Sequence, residues 1–312
     1  MKITLEKAAE KLLKEILKLK KGERVVVVTD RKNCQIFKAI CSAIELKGCN
    51  LRKVRIKRKR QHSEPLSYLK KVFSESDVII GITDKSISHC PEVRVARKKF
   101  GARVISMVEV DEKLFLKGIK ANQKKIKAIG NKLARKLRKC KKVKILTKKR
   151  TNLVVNVIKN AISIDDGDST KKGKLSNFPY EEVTMAPINI AKGIVAIDFS
   201  RIGIEPKDNA QIILKKGKII DYNEKAKKFV EFLKRVDGEK ALRIVELGFG
   251  INPEHRNLVG KIIHDEKIVG SVHVAFGGFG NKRKCKIHED VILLKPTVFF
   301  DDKMVIKNGK II

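Results

Sequence analysis

Near the end of the chain, His288 and Asp290 stand two residues apart in the stretch KIHEDV, and His273 lies a little earlier in the alternating run SVHVAF. Side chains of a β-strand return to the same face every second residue, so an HxD pair on a strand aims both groups at one point. A neighbouring strand could bring His273 to that point. Neutral imidazole combined with carboxylate suits Zn²⁺, Mn²⁺, Co²⁺ or Fe²⁺. The six cysteines, Cys34, Cys41, Cys49, Cys90, Cys140 and Cys285, form no CxxC arrangement, which argues against a structural thiolate site and for an open catalytic one. An HxD pair by itself is common on solvated strands. The remaining histidines, His62, His89, His255 and His264, have no partner spacing and are read as surface or supporting positions.

These residues need a scaffold, and the chain alternates strand-like and helix-like segments in its first half. RVVVVT (24–29), LRKVRI (51–56), DVIIGI (77–82) and ARVISM (102–107) read as strands, with helical patterns at 36–47, 65–73 and 91–99 between them. This alternation predicts a parallel sheet flanked by helices. No GxGxxG follows the first strand, so no dinucleotide site is inferred. From 118 to 142, Ile119, Ile126, Ile129, Leu133 and Leu137 mark one face of a basic amphipathic helix, read as a packed helix with a solvated lysine face. After KKVKILTKK the texture turns to LVVNVI, GIVAID and QIILKKGKII between Gly, Asn and Asp turns. The expected architecture is therefore α/β: an N-terminal parallel-sheet domain over 1–143 and a β-rich metal-binding domain over 144–312.

Composition narrows the function classes. No stretch of the 312 residues has the uninterrupted apolar length of a membrane span or a secretory signal, so a cytoplasmic protein with no membrane partner is expected. The 72 Lys and Arg outnumber the 35 Asp and Glu, a net charge of +37 that would attract nucleic acid or another polyanion. With no Trp and only 5% aromatic residues, a base-stacking platform is not apparent.

Over almost the whole chain the order of motifs resembles the thermophilic metalloprotease family of aminopeptidases, the aminopeptidase T type. NVIKNAISIDDGDSTKKGKLSNFPYEEVTMAP (156–187) resembles the family segment that supplies a first metal-binding carboxylate, and VELGFGINP (245–253) the segment that supplies a second. GSVHVAFG (270–277) resembles the histidine-bearing strand, IHEDV (287–291) the closing pair, and SDVIIGITDKSISHCPEVRVARKKFGARVISM (76–107) the sheet of the N-terminal half. The resemblance implies metal ligands at Glu182, Glu246, His273, His288 and Asp290. It further implies two ions of Zn, Co or Mn, a metal-activated water that releases N-terminal residues from peptides, and a homodimer that completes the active-site chamber. Glu181 or Glu266 would accept the proton, although Glu266 in DEK reads more simply as a salt-bridged residue.

Three positions depart from that pattern. Glu181 stands where the family has Gly, Gly280 where it has a ligand Tyr, and the loop GGFGNKRKCKI is short and basic. Without the Tyr, His273, His288 and Asp290 would make a mononuclear two-His-one-carboxylate site, the arrangement of non-haem iron oxygenases. A ring-opening dihydroxypyridine dioxygenase resembles the same fold. A non-catalytic, nucleic-acid-associated protein is the third reading.

Overall fold

The computed structural model describes residues 3–58, 64–88, 90–279 and 283–312; His62, His89 and Gly280 lie outside the described residues. The chain is mixed α/β and forms two compact units, one of Met1–Ala121 with Asp165–Tyr180, the other of Asn122–Ile164 with Glu181–Ile312.

The first unit is built on a parallel sheet. Its strands run in the order Asn50–Arg55, Arg24–Thr29, Val78–Thr83, Arg103–Val108, Leu175–Asn177, each pair parallel. VIIGIT and RVISMV are buried at every position, because helices cover both faces of a parallel sheet and leave no polar alternation. Helix Gln35–Leu46 starts where the Cys34 sulfur accepts from Phe37 N, and helix Pro91–Phe100 starts on a proline and stops at Gly101, whose φ of 76° favours glycine. Arg103 is buried at the start of its strand, where the guanidinium donates to Glu23 at 2.7 and 2.8 Å.

The second unit contains two antiparallel sheets. The larger orders its strands Lys218–Tyr222, Ala210–Lys215, Ala191–Ile197, Asn152–Asn156, Lys142–Leu146, Thr297–Phe300, Lys303–Lys307, Lys310–Ile311. The smaller runs Arg283–Leu293, Val272–Phe279, Ile244–Gly250, Glu182–Met185, Ile162–Asp165. Helix Lys227–Ala241 packs on the first two of these, with Phe229 edge-on to Phe276 at 5.9 Å and 76°.

The units divide differently from the 143/144 expectation. Helix Gln123–Lys139, capped by the Asn122 side chain, belongs to the second unit because its buried stripe of Ile126, Gly130, Leu133, Ala134 and Leu137 packs beside the Glu182–Met185 strand. A Cβ at Gly130 would lie 3.0 Å from the side chains of Ile164 and Ile251, so a larger residue there would need those neighbours to give way. Ile119 is not on that stripe; it ends the preceding helix, Glu112–Gly118. Conversely, residues 165–180 return to the first unit, where Leu175–Asn177 pairs parallel with Arg103–Val108. Among the described residues no helix is long and apolar enough to cross a membrane.

Phe276 is fully buried between the smaller sheet and helix Lys227–Ala241. Phe276→Ala is expected to cost about 3–5 kcal/mol of unfolding free energy, from lost transfer and the cavity left behind. Urea unfolding of the two proteins measures it.

Candidate metal centre

The smaller sheet of the second unit has two unlike faces. Val245, Leu247, Phe249, Val272, Val274, Phe276, Val291 and Leu293 are fully buried apolar residues on one set of alternating positions. The other set carries Glu182, Glu246, His273, His288 and Asp290. The strand register places a small residue opposite every one of these on one side, although His273 also faces Ile292 on its other side. Glu182 pairs with Gly250, His273 with Gly248, Glu246 and Asp290 both with Ala275, and His288 with Gly277. Cross-strand neighbours share a face at about 5 Å, so glycine and alanine leave the space into which five polar side chains lean. A methyl group on Gly248 would collide with the imidazole of His273.

The structure thus brings the five residues together. His273 Nε2 lies 3.4 Å from Glu182 Oε2 and 3.9 Å from Glu246 Oε1; His288 Nε2 lies 3.7 Å from Glu246 Oε2 and 3.6 Å from Asp290 Oδ1. Two sets of three donor atoms lie within 4.8 Å of one another, Glu182 with Glu246 and His273, and Glu266 with His273 and Asp290. His288 falls in neither set but joins them through Glu246 and Asp290. Ligands held at about 2.0–2.2 Å from one ion are roughly 3–3.5 Å apart from each other, so these long imidazole–carboxylate separations fit a shared ion better than direct hydrogen bonds. The second nitrogen of His288 is fixed: Nδ1 and the Gly278 carbonyl are 2.7 Å apart, which makes Nδ1–H the donor and turns the Nε2 lone pair toward the carboxylates. Nitrogen and oxygen donors of this kind fit a divalent transition ion.

Two residues reach the site from outside the sheet. The backbone of 266–268 lies directly against Gly250, where any Cβ would meet the Glu266 and Ile268 carbonyls. That approach sets the fully buried Lys267 ammonium 2.6 Å from Glu182 and 2.7 Å from Glu266. Glu266 is therefore salt-bridged, as its sequence context suggests, and also faces the donors. Lys267 was not among the expected site residues. Glu181 is turned away from a proton-accepting role: it is fully buried, holds φ of 88°, and accepts from Asn252 Nδ2 at 2.6 Å. That left-handed backbone is the physical reason for glycine in the related pattern. His255 and His264 are not surface residues, since they are 2% and 0% exposed with rings stacked 6.0 Å apart.

Burial lowers the pKa of both imidazoles, but the surrounding carboxylates outweigh it. Glu246, Glu266, Glu182 and Asp290 raise His273 to about 9, and Asp290 and Glu246 likewise raise His288 well above its ordinary value. Burial would raise Asp290, yet His288 and His273 bring it down to about 2. Glu266 is pushed up to about 7 by burial, against the pull of Lys267. In the metal-free protein the imidazoles thus hold protons that balance the acids.

Residues 5–312 match the family model described as NicX: 2,5-dihydroxypyridine 5,6-dioxygenase. The chain belongs to this family. A solved 2,5-dihydroxypyridine dioxygenase from Pseudomonas putida KT2440 shares the fold with a TM-score of 0.81 at 15% identity, covering 99% of this chain and 96% of that one. Wild-type AmpT from Thermus thermophilus shares it at 0.66 and 16% identity, covering 99% and 98%. No curated protein matches the sequence. Family membership overturns the aminopeptidase assignment, and with it the hydrolase and protease readings. The order of motifs does not separate the two readings, because it follows the fold, and that fold is shared with both a dioxygenase and AmpT. A divalent-metal site agrees with the family, whereas the expected pair of Zn, Co or Mn ions has no support in it.

Two outcomes follow from the geometry. Gly248→Ala should push the His273 ring aside, lowering metal affinity by about 10–100-fold while costing about 1–3 kcal/mol of stability through overpacking. Metal titration paired with thermal melting separates the two effects. Ligation needs neutral imidazole, and in the metal-free protein both rings are protonated at neutral pH, so metal uptake at pH 7 should release protons and tighten as pH rises toward about 9. Calorimetry in buffers of differing ionisation enthalpy counts those protons; none released would contradict the assignment of charge.

Proposed function

We propose that this protein is a mononuclear non-haem iron dioxygenase that opens the ring of a dihydroxylated pyridine, with His273, His288 and Asp290 as the ligands of the iron. The observation that carries the reading is the match to the dioxygenase family over residues 5–312, joined to two histidines and an aspartate convergent on one sheet face. When bound, ferrous iron supplies one-electron chemistry toward dioxygen and a Lewis-acid point for a substrate hydroxyl.

The chain's own residues define the rest. The Gly278 carbonyl holds His288 in the tautomer that offers Nε2. Glu246 lies beside both imidazoles, at 3.9 and 3.7 Å, and its carboxylate is the group placed to take a proton from a ring hydroxyl approaching the triad. His273 and Glu246 are buried, while His288 keeps 37% of its side chain accessible, so entry is from the His288 side. The apolar face of the sheet beneath these residues excludes water and keeps the donors rigid.

The test is oxygen consumption by protein loaded anaerobically with ferrous iron and mixed with 2,5-dihydroxypyridine. One O₂ taken up per ring lost is expected, together with loss of iron and of at least about 1,000-fold in rate for His288→Ala, the scale of removing an essential catalytic group. Iron-loaded protein that consumes no oxygen with this substrate or its dihydroxypyridine isomers would sink the proposal.

A further inference from the structure

The site offers more donors than a single ion needs. The two three-atom sets share His273 and otherwise draw on different carboxylates, Glu182 and Glu246 in one, Glu266 and Asp290 in the other. One imidazole nitrogen serves one ion, but the four carboxylates together with His273 and His288 would supply donors enough for two. The Lys267 ammonium bonds one carboxylate from each set, Glu182 at 2.6 Å and Glu266 at 2.7 Å, and it is 0% exposed. We infer that Lys267 is a built-in second cation, which occupies Glu182 and Glu266 and restricts the centre to one divalent ion at His273, His288 and Asp290.

Three features support this. The contacts of Lys267 are shorter than any imidazole–carboxylate distance in the cluster, so its two carboxylates are already engaged in close ion pairs. Its place is fixed by backbone rather than by a flexible stem, because residues 266–268 lie against Gly250 with no room for a side chain between. And a buried ammonium beside a second divalent cation would meet strong like-charge repulsion in a water-poor interior, so the two exclude each other.

The inference rests on the metal-centre reading above, and the experiment keeps the two apart. Wild-type protein, Lys267→Met and His288→Ala are each equilibrated with excess Mn²⁺, desalted, and assayed for manganese per chain, with electron paramagnetic resonance to detect spin-coupled pairs. The expected result is one ion in wild type, two spin-coupled ions in Lys267→Met, and less than one tenth of the wild-type content in His288→Ala. Two ions in wild type, or one ion in a folded Lys267→Met, overturns the role of Lys267 while leaving the metal centre standing. Undiminished manganese in His288→Ala overturns the metal centre itself. Loss of the ammonium leaves buried acids unbalanced, so if Lys267→Met does not fold, Lys267→Gln, neutral but able to donate to the same carboxylates, decides in its place by the same count. Lys267→Arg, which keeps the charge, should stay at one ion.

Discussion

Everything at the metal centre depends on a small residue standing across one neighbouring strand from each polar group. In an antiparallel sheet, facing residues on one surface compete for the same space. Here Gly250, Gly248, Ala275 and Gly277 concede it to Glu182, His273, Glu246, Asp290 and His288. The concession does more than make room. Gly250 also admits the backbone of 266–268, which delivers Lys267 and Glu266 to the same volume from outside the sheet. A single β-branched residue in any of these places would fill the pocket with hydrocarbon and return the strand to ordinary core packing.

Concentrating carboxylates in so small a volume is costly unless cations stand among them. Four are present, Glu182, Glu246, Glu266 and Asp290, and the fixed positive charge among them is Lys267, which touches Glu182 and Glu266. In the metal-free protein the imidazoles make up part of the difference by holding protons, which is why His273 titrates near 9 and Asp290 near 2. A divalent ion replaces those protons. The apolar reverse face of the sheet is fully buried and contributes stability of its own.

Much of this was legible before any coordinates. Period-two spacing put His288 and Asp290 on one face, and the alternation of strands and helices gave the parallel sheet of the first unit. The pairing of donors with small residues was present in the sequence as VELGFG, VHVAFGG and IHEDV, but reading it requires the register, which no single strand contains. Lys267 was illegible for a related reason. In a chain with 72 Lys and Arg, one more lysine in DEK carries no signal until burial singles it out. The unit boundary was missed because the lysine-rich face of Gln123–Lys139 drew the eye, whereas its apolar stripe, with a glycine at its centre, decides which sheet it joins.

The net charge of +37 and the chemistry of the centre are separate matters. Charges exposed to solvent are screened over about 8–10 Å at physiological ionic strength. The lysines on the exposed face of helix Gln123–Lys139 therefore do little to offset the largely buried carboxylates on the polar face of the smaller sheet. Among the described residues Lys267 is the one lysine that is fully buried, and it lies among the donors themselves. What distinguishes this centre is consequently local. The same fold is shared by a dioxygenase and by AmpT, so the fold alone does not fix the chemistry, and the side chains that meet at the donors, Lys267 among them, are what set this centre apart.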